Sequence, residues 1–201
     1  MSFEITLPDN PSELREEIMK LLGEPYQYAR ALLIHSESIT LRRNWVAMYN
    51  LRDAFDHLRN VLFAIHQGNT DMVIARRETL EVYDHIRRAI VESAQDTTEY
   101  LLYKLDEKLM NPHFLYKLAW IKVPSQIEIN EAILSVKTKM EAGRQEKNKF
   151  YEWKNVVINY KEAEDIIIEL DKKLPTRQEV YFRIASILSI LLAAYGIYIT
   201  N

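Results

Sequence analysis

"SQIEINEAILSVKTKMEAGRQEKNKFYEWKNVVINYKEAEDIIIELDKKL", residues 125–174, sets apolar side chains at Ile129, Ile133, Val136 and Met140. They recur at Phe150, Trp153, Val156, Tyr160, Ala163, Ile167, Leu170 and Leu174. Steps of three and four mark one face of an α-helix and resemble a coiled-coil seam. Ser125 with Glu128 forms a capping box at its start. Between the two halves lies the polar run EAGRQEKNK, 141–149, which contains Gly143. A tight turn there would make a helical hairpin; without one, the segment is a single helix about 75 Å long at 1.5 Å per residue. One Gly within a helix costs only about 1 kcal/mol, so the sequence is read here as continuous.

The same helical spacing runs outward from this seam. Asn10, Pro11 and Glu13 resemble a capping box with Pro at the first helical position, opening a helix to Gly23. Pro25 opens the next segment, with a break expected near Ser36–Thr40. A stripe of Trp45, Met48, Leu51, Phe55, Leu58, Leu62 and Ile65 predicts a helix to about Gln67, ended by Gly68. Thr70 caps a helix that meets no breaker before Met110. Asn111 and Pro112 restart a short helix, ended by Pro124, and Thr176 with Glu179 opens the last one. Period-two alternation persists nowhere, and four Gly in 201 residues are too few for the many turns of a sandwich or barrel. The expected fold is all-α: a bundle of long antiparallel helices over residues 1–174, with an apolar C-terminal helix over 175–201.

Composition narrows the function. With 26 Lys and Arg against 29 Asp and Glu, the net charge is −3, and no global basic field draws the chain to nucleic acid. The absence of Cys leaves no disulfide and no thiolate metal site, which fits a reducing compartment. The opening MSFEITLPDNP lacks the basic-then-apolar pattern of a secretory signal. No Gly-rich phosphate loop, HExxH or nucleophile elbow occurs. From Ile184 to Asn201, IASILSILLAAYGIYITN carries no charge and would span about 27 Å as a helix, near the thickness of a bilayer core. Lys172, Lys173, Arg177 and Arg183 precede it, which predicts a membrane anchor with the bundle on the cytoplasmic side. The alternative is a helix buried in the bundle or in an oligomer interface.

Two stretches echo each other 28 residues apart, AFDHLRNVLFA (54–64) and VYDHIRRAIVE (82–92). Each His has a carboxylate four residues earlier on the same helical face, Asp53 for His57 and Glu81 for His85. His57 shares its face with Ala54, Val61 and Ala64; His85 shares its own with Val82, Ala89 and Ser93. Two His and two carboxylates suit zinc or iron. The di-iron bundle pattern, however, needs Glu and His three residues apart. The reading adopted is therefore an acid–His packing pair on each helix, with no metal and no cofactor.

RDAFDH, Arg52–His57, resembles the Arg-x4-6-His signature of HEPN domains, and Arg59 to His66 satisfies the same spacing. The five-residue separation puts Arg52 and His57 about 140° apart on a straight helix, whereas Arg59 and His66 share nearly one face. The resemblance implies an all-helical, usually dimeric protein, with many members acting as metal-independent ribonucleases in defence and toxin systems. It implies catalytic roles for Arg and His, drawn here from Arg52, His57, Arg59 and His66, without choosing between the pairs. A plain ion pair of Arg52 with Asp56 is the structural alternative. The expected function is a membrane-anchored helical interaction or effector protein, related to bacterial defence or stress and self-associating at the membrane. Its alternatives are a HEPN-like ribonuclease, with RNA as partner, and a soluble helical assembly subunit. Enzymatic activity is the less expected outcome. A homo-oligomer, a protein partner and the membrane are the expected contacts.

Overall fold

A computed structural model describes residues 10–66, 72–110, 113–119, 121–146 and 153–200. Among these residues there is no strand, and eight helices follow in order: α1 (Pro11–Leu22), α2 (Glu24–Thr40), α3 (Trp45–His66), α4 (Met72–Leu109), α5 (His113–Leu118), α6 (Gln126–Glu146), α7 (Trp153–Lys173) and α8 (Arg177–Thr200). The fold is all-α, a bundle of long helices.

The helix starts follow the local chemistry. Asn10 accepts the Ser12 amide at 2.9 Å and Pro11 takes the first helical position. The Ser125 amide donates to Glu128 while the Glu128 amide donates to Ser125 Oγ, the reciprocal bonds of a capping box. Thr176 Oγ1 accepts the Glu179 amide at 3.2 Å. The break expected near Ser36–Thr40 falls just after Thr40. Leu41 takes the left-handed conformation at φ 55° and its amide closes on Glu37. Ser36 and Thr40 stay helical, and Thr40 spends its hydroxyl on the Ser36 carbonyl at 2.8 Å. Gln67, Gly68 and Thr70 lie outside the described residues, and α5 ends at Leu118, short of Pro124.

The segment 125–174 is not one helix. The ring of Tyr160 lies 2.9 Å from where a Cβ on Gly143 would stand. Seventeen residues of straight helix would hold those positions about 25 Å apart, so α6 and α7 form a hairpin. Of the polar run that was read as a solvated stretch of one helix, residues 141–146 lie at the end of α6 and 147–149 lie outside the described residues. Most of the seam is buried as the spacing predicts, at Ile129, Val136, Met140, Trp153, Val156, Tyr160, Ala163, Ile167, Leu170 and Leu174, while Ile133 is half-buried and Phe150 lies outside the described residues.

The helices group into two compact units. One comprises Met1–Thr98 and Lys139–Lys161. Its core takes Leu14 and Ile18 from α1, Ala47, Ala54, Leu58 and Val61 from α3, and Val82, Ile86, Ala89 and Ile90 from α4. The face of α3 that turns inward is the small-residue face; the larger stripe contributes Leu58, while Trp45, Phe55 and Leu62 remain about half exposed. Hydrogen bonds of Asn60 with Glu78 and of Asn50 with His85 pair α3 with α4. Where α4 buries hydroxyls, at Thr79, Ser93, Thr97 and Thr98, each donates to the carbonyl four residues back. No buried polar group is thereby stranded at these positions.

The second unit comprises Glu99–Thr138 and Glu162–Asn201. Tyr116, Ala119 and Val180 form a small core with Leu115, Ile121, Val123 and Ile184 packed against it. Arg177 donates to the Glu107 carbonyl at 3.0 Å. These contacts fix the base of α8. Beyond them, every residue from Leu188 to Ile199 is exposed.

Candidate functional site

The close approach of α3 and α4 brings the two echoed stretches face to face. The His57 and His85 rings stack with centroids 5.2 Å apart and planes 20° from parallel. Both imidazoles are half-buried. Neither is held by the acid one turn back on its own helix. His57 Nδ1 donates instead to Glu78 Oε2 of α4 at 2.8 Å, and His85 Nδ1 donates to Asn50 Oδ1 of α3 at 3.1 Å. The partners are swapped across the helix pair.

Glu78 is the anchor of this arrangement. It is buried, and its carboxylate also accepts from Asn60 Nδ2 at 3.0 Å and Arg77 Nη2 at 2.9 Å. The hydrogen bonds from Asn60 and then His57 outweigh burial and hold its carboxyl down to about 2. A depressed carboxyl stabilises the fold fully above its ordinary value and loses that contribution as pH falls. Stability is therefore expected to decline between pH about 4.5 and about 2 in the wild type, and less steeply in Glu78→Gln. Chemical denaturation at stepped pH checks this. Burial, then the neighbouring His57 and Arg88, pushes the His85 imidazole below its ordinary value.

Asp53 faces this pair but is engaged elsewhere. Arg52 binds it through Nε at 3.0 Å and Nη2 at 2.7 Å, and those bonds hold the Asp53 carboxyl below its ordinary range. Arg52 thus folds onto its immediate neighbour rather than onto Asp56, and its guanidinium lies 5.0 Å over the Tyr49 ring. Arg52 is exposed, and His57 turns toward α4. Arg59 and His66 do meet one surface: with Arg15, Leu62, Phe63 and Ile65 they line an open cleft of about 570 Å³. His57, Glu81 and His85 each bring one potential ligand atom within 4.8 Å of the others.

No family model, curated protein or solved structure matches this chain. The site has to be read from its own geometry. Glu78, Asn50 and Arg15 were not singled out by the sequence. Glu78 lies 21 residues from His57 and Asn50 lies 35 from His85, so only the pairing of α3 with α4 unites them. No spacing rule within one helix encodes that.

The other notable feature is α8, which is long and apolar enough to cross a membrane, with none of its apolar stretch buried. Its two serines spend their hydroxyls internally, Ser186 on the Phe182 carbonyl and Ser189 on the Ala185 carbonyl, both at 2.9 Å.

Proposed function

We propose that this protein is a membrane-anchored helical interaction protein whose bundle lies in the cytoplasm and whose C-terminal helix inserts in the bilayer. The observation that carries the reading is the exposure of α8 on every side from Leu188 to Ile199. Six aliphatic residues there, Leu188, Ile190, Leu191, Leu192, Ile197 and Ile199, are each more than half exposed. Burying such a side chain gains about 1.5–3 kcal/mol, so six forgo on the order of 10 kcal/mol, as much as a whole domain's stability. A bilayer supplies that burial. The serine hydroxyls bonded to their own helix suit an apolar surround. Lys172, Lys173, Arg177 and Arg183 flank the bundle side, which the positive-inside rule assigns to the cytoplasm. Ser186, Ser189, Ala193, Ala194 and Gly196 supply the small side chains on which neighbouring tails pack closely. A defence or stress effector that self-associates at the membrane is the concrete form. Fractionation of cells expressing the full chain, against one ending at Leu174, tests the anchor. The full chain is expected in the detergent-soluble membrane fraction; recovery in the soluble fraction without detergent rules the reading out.

A second reading, ribonuclease activity of the HEPN type, is favoured by Arg15, Arg59 and His66 lining one cleft. Two guanidiniums and an imidazole suit a phosphodiester. If it operates, His66→Ala is expected to lower RNA cleavage by at least 100-fold, and His57→Ala, whose imidazole faces α4, to leave it within a few-fold. An absence of cleavage by the wild type, or cleavage unchanged in His66→Ala, removes the reading.

A further inference from the structure

We propose that His57, Glu81 and His85 together bind one divalent transition-metal ion of the zinc class, between α3 and α4. This site is independent of the membrane reading, and it uses neither Arg59 nor His66.

The first argument is convergence. Three side chains of ligating type, from two helices, already bring one donor atom each within 4.8 Å of the others. With bonds of about 2.0–2.2 Å, tetrahedral ligands stand roughly 3.4 Å apart. The donors therefore need to draw together by at most about 1.4 Å. Glu81 and His85 are one turn apart on a single face of α4, and His57 meets them from α3.

The second argument is orientation. A ligating imidazole ordinarily donates its other ring nitrogen to a carboxylate or carbonyl, which fixes its tautomer and its angle. Both histidines here do so. A carboxylate oxygen accepts, so the proton at that contact is placed on His57 Nδ1. The amide oxygen of Asn50 likewise requires the proton on His85 Nδ1. In both rings Nε2 is left with its lone pair for a metal. Glu78 is itself fixed by Asn60 and Arg77, a further layer of support behind the ligands.

The third argument is the donor set. Two imidazole nitrogens and one carboxylate oxygen form the ligand group of open zinc sites, in which a water or an incoming group takes the fourth position. Asp53 would have been the fourth protein ligand in a closed arrangement, but Arg52 holds it. The four-residue interval between acid and His, which fails the two-iron pattern, presents no obstacle to a single ion.

The test uses the tag-free full chain in detergent micelles, stripped with chelator and titrated with Zn²⁺, then with Co²⁺ as a visible probe. One equivalent is expected to bind, and the Co²⁺ form to show the intense visible absorption of a four-coordinate site. His85→Ala is expected to lower affinity by 100-fold or more. Glu78→Gln, which removes the carboxylate behind His57 without touching a ligand, is expected to lower it by about 10–100-fold. If His85→Ala loses helicity by circular dichroism, the isosteric Glu81→Gln takes its place, with affinity again expected to fall. A wild type that takes up no stoichiometric metal overturns the proposal. So does uptake that is unchanged in folded Glu81→Gln and Glu78→Gln, which would place the ion elsewhere.

Discussion

Gly143→Ala is expected to destabilise the protein by about 1–3 kcal/mol, the usual range for overfilling a packed interior. The added methyl would stand 2.9 Å from Tyr160 Cε2 and 3.2 Å from Cζ. Tyr160 cannot easily yield, because it is buried to 1% exposure and its backbone carbonyl is held by Thr98 Oγ1 at 3.3 Å. For a chain of this length each kcal/mol moves Tm by about 2–4 °C. The sign is diagnostic. If 125–174 were one continuous helix, replacing its solvated glycine by alanine would stabilise it by up to about 1 kcal/mol. Denaturant melts of the two proteins therefore separate hairpin from single helix. Pairing Gly143→Ala with Tyr160→Leu frees space for the methyl, and a coupling of about 1 kcal/mol or more between the two is expected.

The pair Ile190→Lys and Leu191→Lys is expected to expel the chain from membranes. On the insertion scale each exchange costs about 3–4 kcal/mol at the centre of a span, so the double change costs roughly 6–8 kcal/mol. That is enough to move the chain almost wholly to the soluble fraction. The two side chains are 68% and 59% exposed, so neither supports the bundle, and circular dichroism of the variant should match the wild type. If α8 instead covers a second copy in water, the variant is soluble like the wild type and only its mass in solution falls. Fractionation with light scattering on the same samples distinguishes the outcomes.

The architecture was legible because helix signals are local. Asn10, Ser125 and Thr176 each announce a start within three residues, and the seam from Ile129 to Leu174 announces a buried face. The hairpin was not legible, because its evidence is the contact of Gly143 with Tyr160, which no local pattern encodes. Nor was the inward face of α3. Hydrophobicity favoured the stripe through Trp45, Phe55 and Leu62, yet close packing against α4 selected Ala47, Ala54 and Val61. The same choice carried His57 inward to meet His85. The repeat had been visible as two like faces; that they face each other, with Glu78 and Asn50 as crossed partners, required the pairing of the two helices.

The account turns on where α8 resides, and flotation of the purified full chain with phospholipid vesicles asks this most directly. After dilution of detergent below its micellar concentration and centrifugation through a density gradient, the chain is expected at the top with the vesicles and to stay there after alkaline carbonate washing. A chain that remains at the bottom as a folded, monodisperse protein would contradict a membrane anchor.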